Sequence, residues 1–244
     1  MTFKYVCVKI PALILLLTVS VVYGACAQNA GPDTLFYSKT AAQVIDYFNQ
    51  SIAYQSELYN GTQYELHPPA NKGTFYFENK NYCVPSLIRY NGRWYKNILI
   101  LYDARNDAMI STEGDNLYIL NAERTSDVFL LDHHFIYLKA ENRANLDTGY
   151  YDMMYDGRSQ FLVKRTKLIN ETNPTEIIYE DKTYFFVKKG DQYLPVNNEG
   201  SLMDIFKDKS QDLKQYLKNN KIKFKKNKEY AIARLAAYYD QITK

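Results

Sequence analysis

Two groups of residues in this chain have types and spacing that could do chemistry. They are the pair His133-His134, with His67 the only other histidine, and the acidic stretch Asp103, Asp107, Glu113 and Asp115. Neighbours on a strand point to opposite faces, so His133 and His134 cannot readily share one ion. Asp132 and His134 fall on one face, and a carboxylate beside an imidazole is the pairing that acid–base catalysis uses. No serine or cysteine sits in a strained-turn motif that would complete a triad with them. The acidic stretch offers the oxygen ligands that calcium prefers, with Asp103 and Asp107 as the candidate ligands. It lacks the regular Asp-x-Asp-x-Asp-Gly loop and Arg105 intrudes, so turn chemistry between strands explains it more simply. Tyr90, Trp94, Tyr95 and Tyr102 could offer stacking faces to a glycan or an apolar ligand, although alternating aromatics on strands usually make core and cross-strand pairs. None of the ten glycines falls in a Gly-x-Gly-x-x-Gly or P-loop pattern, so no cofactor is expected.

The elements that must position these residues follow an address. Lys4 and Lys9 precede an apolar run from Ile10 to Val22, and Ala25-Cys26-Ala27-Gln28 comes next. A basic start, a short apolar segment and a small-x-small site predict a signal peptide over residues 1–27. The chain is therefore expected to be exported, to the periplasm or outer envelope. Cys26 carries the alternative of a lipoprotein in contact with a membrane. Taking residues 1–27 from the 244 leaves 217, enough for one large domain without disulfide staples. Cys83 would be its single cysteine, read as a small buried hydrophobe. Residues 207–228 hold nine lysines against Asp208 and Asp212, a net of +7. Such a run marks an acidic partner or membrane surface, or a solvated helical face that complements the body of its own protein; the last is preferred. It contains no arginine fork, so nucleic acid is not an expected partner.

Between the ends the chain reads as a meander of antiparallel strands. Asn60-Gly61, Asn91-Gly92 and Asp156-Gly157 are hairpin-turn dipeptides between aromatic-rich runs. Looser turns are expected at Glu78–Asn81, Glu113–Asn116, Glu180–Lys182 and Lys189–Asp191. Ile98–Tyr102, Val128–Leu131, Phe135–Leu138, Phe161–Val163 and Tyr184–Val187 read as strands, within about ten strands altogether. Ala41, Val44, Ile45, Phe48 and Ile52 fall at helical spacing, as do Leu213, Tyr216 and Leu217, and Ile232, Leu235, Ala236, Tyr239 and Ile242. Ser201 reads as the cap of a further short helix. The class is α+β: a strongly curved sheet or partial barrel with helices at both ends, a flat sandwich being the alternative. The expected domain runs from residue 28 to 200, with residues 201–244 a lysine-rich helical appendage packed on it.

The chain also resembles a large group of exported Bacteroidetes proteins of unknown function. The order Tyr59-Asn60-Gly61, Leu101-Tyr102-Asp103, His133-His134-Phe135, Gly149-Tyr150-Tyr151, Tyr155-Asp156-Gly157 and Lys164-Arg165 carries the resemblance across nearly all of the chain after the signal. It implies a source and a compartment but supplies no reaction. An exported chain without a convergent catalytic set reads as a non-enzymatic envelope protein, a binding or assembly module for a protein or an apolar or glycan ligand. The alternative is a hydrolase of an extracytoplasmic polymer, since dispersed catalytic carboxylates leave no local signature.

Overall fold

The computed structural model describes residues 55–67, 70–142, 145–170 and 176–243. The expected signal peptide, Cys26 and the expected helix from Ala41 to Ile52 lie outside the described residues. Residues from Ser56 onward make one compact unit.

Eleven strands form one antiparallel sheet. They are β1 (Gln63–Tyr64), β2 (Val84–Tyr90), β3 (Arg93–Asp103), β4 (Ala108–Glu113), β5 (Asn116–Ile119), β6 (Thr125–Leu130), β7 (His133–Leu138), β8 (Gly149–Tyr155), β9 (Phe161–Asn170), β10 (Ile178–Lys189) and β11 (Gln192–Pro195). The order across the sheet is β1-β5-β4-β3-β2-β6-β7-β8-β9-β10-β11, so one open sheet replaces the two sheets of a sandwich. The apolar runs read from the sequence fall within these strands, because alternating or continuous apolar residues suit a covered pleated surface, except that Leu131 lies past the end of β6 in the turn to β7, with φ 54°.

The sheet has to bend. Lys72 bridges Ile178 on β10 while Tyr76 bridges Asp103 on β3. A flat sheet would hold those two strands about 29 Å apart, whereas four residues span at most about 14 Å. The inner side of the bend is filled by rings. Tyr102 lies 4.9 Å from Phe135 and 6.1 Å from Tyr150, and Phe77 lies 5.3 Å from Phe135.

Three helices cover the β9–β10 end: α1 (Glu199–Ile205), α2 (Ser210–Asn219) and α3 (Lys228–Ile242). Leu202, Phe206, Leu213, Leu217, Ile232 and Leu235 pack with Phe161, Val163 and Val187 of the sheet in one core. The segment after β8 grips the last helix, since Tyr155 Oη and Ser159 N–H both donate to the Asp240 carboxylate at 3.0 Å. The cap of α1 is Asn198, three residues before the expected Ser201. Asn198 accepts from the Ser201 N–H, and Ser201 Oγ accepts in turn from the Asn198 N–H, a reciprocal capping box.

The turns separate by mechanism. Asn91 (φ 49°) and Gly92 (φ 77°) form the two-residue loop between β2 and β3, with Tyr90 opposite Arg93 as a type I′ hairpin requires. Gly190 (φ 60°) turns β10 into β11, and Gly114 (φ 59°) turns β4 into β5. Asn60-Gly61 is not a hairpin. It follows a helical turn (Gln55–Leu58), and a Cβ on Gly61 would stand 1.8 Å from the Ile119 carbonyl oxygen, so this glycine serves a close backbone approach. Asp156-Gly157 lies in a five-residue connection between β8 and β9, and Glu180–Lys182 lies inside β10.

A Cβ at Gly92 would meet nothing within 4 Å, so only backbone conformation opposes a side chain there. Gly92→Val is expected to lower stability by about 1–2 kcal/mol. Gly61→Ala, although the smaller change, is expected to cost more because backbone must move. Chemical denaturation of the two variants checks both, and an unchanged midpoint for Gly92→Val would remove the type I′ turn.

Candidate functional site

Strand alternation sends the two histidines to opposite faces, as their adjacency requires. His133 turns to the inner side. Its Nδ1 lies 2.6 Å from Asp152 Oδ2 on β8, and its Nε2 lies 3.6 Å from Glu78 Oε1. Arg165 on β9 reaches the same Asp152 oxygen with Nε at 2.7 Å and Nη2 at 2.6 Å. The guanidinium also grips Glu229 at the start of α3, Nη1 to Oε1 at 3.1 Å and Nη2 to Oε2 at 2.9 Å. Phe77 presents itself edge-on to His133 at 4.9 Å, and Arg165 lies 5.7 Å from the Phe77 ring centre. The result is a relay, Glu78–His133–Asp152–Arg165–Glu229, joining three strands (β7, β8 and β9), a short 3-10 turn (Phe77–Asn79) and a helix.

Asp152 is the electrostatic centre, its side chain only 1% exposed. His133 and Arg165 converge on Oδ2, while Oδ1 has no hydrogen-bond partner among the described residues. The bond to Asp152 raises the His133 pKa, and burial opposes that only in part. A cleft of about 230 Å³ opens beside the relay, lined among others by His133, Arg165, Glu78, Asp181, Thr183 and Glu229. Two of its three acids pair with a lysine or arginine, Glu229 with Arg165 and Asp181 with Lys167 at 2.7 Å, while the third, Glu78, faces His133. The arrangement can hold a proton and fix a helix against a sheet. Among the described residues, Thr166 and Thr183 are the only hydroxyl side chains lining this cleft.

The residues singled out from sequence are dispersed. Asp132 is exposed in the two-residue loop between β6 and β7, and it does not partner His134. His134 Nε2 lies instead 2.9 Å from Asp127 Oδ1 on the outer side, with its ring stacked on Phe129 at 4.1 Å. Asp103 is buried and accepts from Tyr64 Oη at 2.7 Å, from the N–H groups of Arg105 and Asn106, and from Asn106 Nδ2 at 2.8 Å. Asp107 accepts from Tyr102 Oη at 2.7 Å, Tyr150 N–H at 3.1 Å and Lys164 Nζ at 2.6 Å. Protein donors therefore occupy both candidate calcium ligands. Among the described residues no three His, Cys, Asp or Glu side chains stand close enough to hold a metal ion. Tyr90, Tyr95 and Tyr102 are buried, and of the four candidate aromatics only Trp94 is exposed. Burial also pushes the Cys83 thiol up, away from the reactive thiolate.

Asp152, Arg165 and Glu229 were not singled out as site residues. Strand parity carries a signal for two of them: Asp152 shares a face with Tyr150, and Arg165 shares one with Phe161 and Val163. Glu229 is brought in by the packing of α3 alone.

The outer side of β3-β2-β6-β7 forms a second feature. Leu99 stands opposite Pro85, Leu87 opposite Phe129, and Phe129 opposite His134, with Trp94 opposite Arg89. Trp94 is 49% exposed and Phe129 38%, their ring centres 6.0 Å apart.

Removing one member of a buried ion pair leaves the other uncompensated. Arg165→Met is thus expected to destabilise the protein by about 3–5 kcal/mol, measured by chemical denaturation. The pH dependence follows from a raised His133 pKa. Its contribution is complete below the unfolded-state value of about 6.5 and is lost as pH rises through the higher folded value. The stability difference between wild type and His133→Gln should accordingly shrink across that window, as read from denaturation at a series of pH values. Comparison of the chain with protein-family models, with curated proteins and with solved structures returns no match.

Proposed function

We propose that this chain is an exported, non-enzymatic binding or assembly module of the cell envelope, a partial barrel whose outer aromatic face docks on another protein. The observation that carries the reading is the row of exposed Leu99, Phe129 and Trp94 with half-buried Leu87 between them, flanked by Arg89 and Asp127. An aromatic centre with a charged rim is the composition of protein interfaces. A glycan platform would offer ring faces, whereas Phe129 and His134 lie face to face at 8° and cover one another. The inner side is packed with aromatic rings, and its cleft is smaller than the roughly 300–1,000 Å³ of usual ligand sites.

The rival reading, a hydrolase of an extracytoplasmic polymer, draws on the His133–Asp152 pair beside the cleft. Against it stands the pairing of two of the cleft's carboxylates, Glu229 and Asp181, with Arg165 and Lys167.

The test is a cross-linked capture from native envelope fractions with wild type and Trp94→Ser/Phe129→Ser. A near-stoichiometric protein captured by wild type and lost by the double variant, with melting unchanged, is the expected result. Polymer turnover abolished by His133→Gln in a folded protein would establish the rival instead.

A further inference from the structure

We infer that the lysine-rich knuckle around the end of α2 is a docking surface for an anionic lipid bilayer. The knuckle is built so that its apolar residues face inward and its lysines outward. Leu213, Leu217 and Phe224 are buried in the helical core, while Lys214, Lys218, Lys221, Lys223, Lys225 and Lys226 are exposed. On α2, Lys214 and Lys218 are four residues apart and share one flank, turned about 100° from the buried stripe of Leu213 and Leu217. Lys221, with φ 55°, reverses the chain just beyond, and the remaining three lysines lie in the connection to α3.

These lysines form a solvated face, and the body of the protein pairs with the stretch only at its margins. The body claims two groups at the margins of the stretch. Asp208 pairs with Lys189 at 2.6 Å, and Lys228 Nζ donates to the Asn197 carbonyl at 2.7 Å while lying 4.3 Å from the Phe185 ring centre. None of the six exposed lysines forms an ion pair or a side-chain hydrogen bond among the described residues. With Asp208 already neutralised, Asp212 is the only carboxylate within residues 207–228 left to oppose them. Uncompensated like charge on one protrusion destabilises the compact state unless a partner of opposite sign relieves it.

The chemistry favours a lipid surface over other polyanions. Lysine is a compact point charge on a flexible stem, suited to a fluid array of phosphates rather than to bidentate gripping of one phosphate or base. The stretch holds no arginine. Tyr230, 51% exposed in the first turn of α3, adds an aromatic body with a polar tip, the side-chain type that settles at a membrane–water boundary. This surface lies on the helices, whereas the face proposed for a protein partner lies on β3-β2-β6-β7, so the two inferences stand independently.

The experiment is co-sedimentation of the purified chain with phosphatidylcholine vesicles, with and without phosphatidylglycerol. It compares wild type with the quadruple variant Lys214→Gln/Lys218→Gln/Lys225→Gln/Lys226→Gln. Each lysine near an anionic surface contributes about 1 kcal/mol, so the variant should bind mixed vesicles at least about 100-fold more weakly. Both proteins share the same N-terminal residues, so any contribution from the apolar run at Ile10–Val22 cancels. The difference between wild type and variant should also fall steeply with added salt and vanish on pure phosphatidylcholine. A salt-insensitive difference, or equal binding by the variant on mixed vesicles, would overturn the proposal. So would retention by a soluble polyanion such as dextran sulfate without vesicle binding. If the quadruple variant melts early, Lys225→Gln/Lys226→Gln, confined to a connecting segment, supplies the same comparison with a smaller expected loss.

Discussion

The carboxylate of Asp107 ties together parts of the sheet that strand pairing alone would keep far apart. It lies in the turn between β3 and β4, yet it accepts from Tyr150 N–H on β8 and from Lys164 on β9. β3 and β9 are five strand spacings apart, about 24 Å in a flat sheet. The bend that brings them within a hydrogen bond also creates an interior, and the remaining arrangement fills it. Tyr102 is held above the usual phenol range, first by its burial and then by the Asp107 charge, so it stays an O–H donor to that carboxylate. Asp103 performs the same service at the opposite end of the turn, fixing Asn106 and drawing in Tyr64 from the edge strand β1.

A second layer of charge then locks the helices to the bent sheet. Arg165 sits between Asp152 beneath it and Glu229 above it, so the orientation of α3 is set by a planar fork with carboxylates on both sides. Apolar packing alone would leave that helix freer to slide, because Leu235 and Ile232 meet a sheet surface that repeats at every second residue. Desolvating three charges is costly, and one oxygen of Asp152 goes without a partner among the described residues. The lock therefore serves geometry more than stability, and α1 and α2 follow from it because they pack in the same core.

Whatever could be read locally was legible in the sequence. The strands showed because a two-residue period and β-branched or aromatic runs are properties of the segment itself, and Asn91-Gly92 showed because both residues of a type I′ turn need positive φ. Gly61 was misread because its reason lies in the distant backbone of Ile119. Glu180–Lys182 looked like a turn because the outer half of the β9–β10 pair is polar. There Lys167 pairs with Asp181 and Asn170 bonds Glu180, and those partners are ten or more residues away. Asp132 seemed the natural companion of His134 by parity, but a hairpin loop does not continue strand parity, and Asp127 on β6 takes the place. The relay itself depends on which strands meet after bending, which no local pattern encodes.

The same bend limits where such a molecule can meet anything else. Its inner side is given to rings and paired charges. Its edges offer little for strand addition, since β1 has two residues and β11 has four and ends at Pro195, which has no N–H to donate. Over β7 to β11 the outer side carries its own cluster of Leu138, Leu146, Tyr151, Leu162 and Tyr193. Among the described residues, the outer side of β3-β2-β6-β7 and the exposed flank of α2 are two surfaces that stay open. The first is aromatic and nearly balanced in charge; the second is cationic and almost without apolar surface. Surfaces of such different chemistry suit different partners, and their separation across the fold would let a module of this kind hold a protein while resting on an anionic surface.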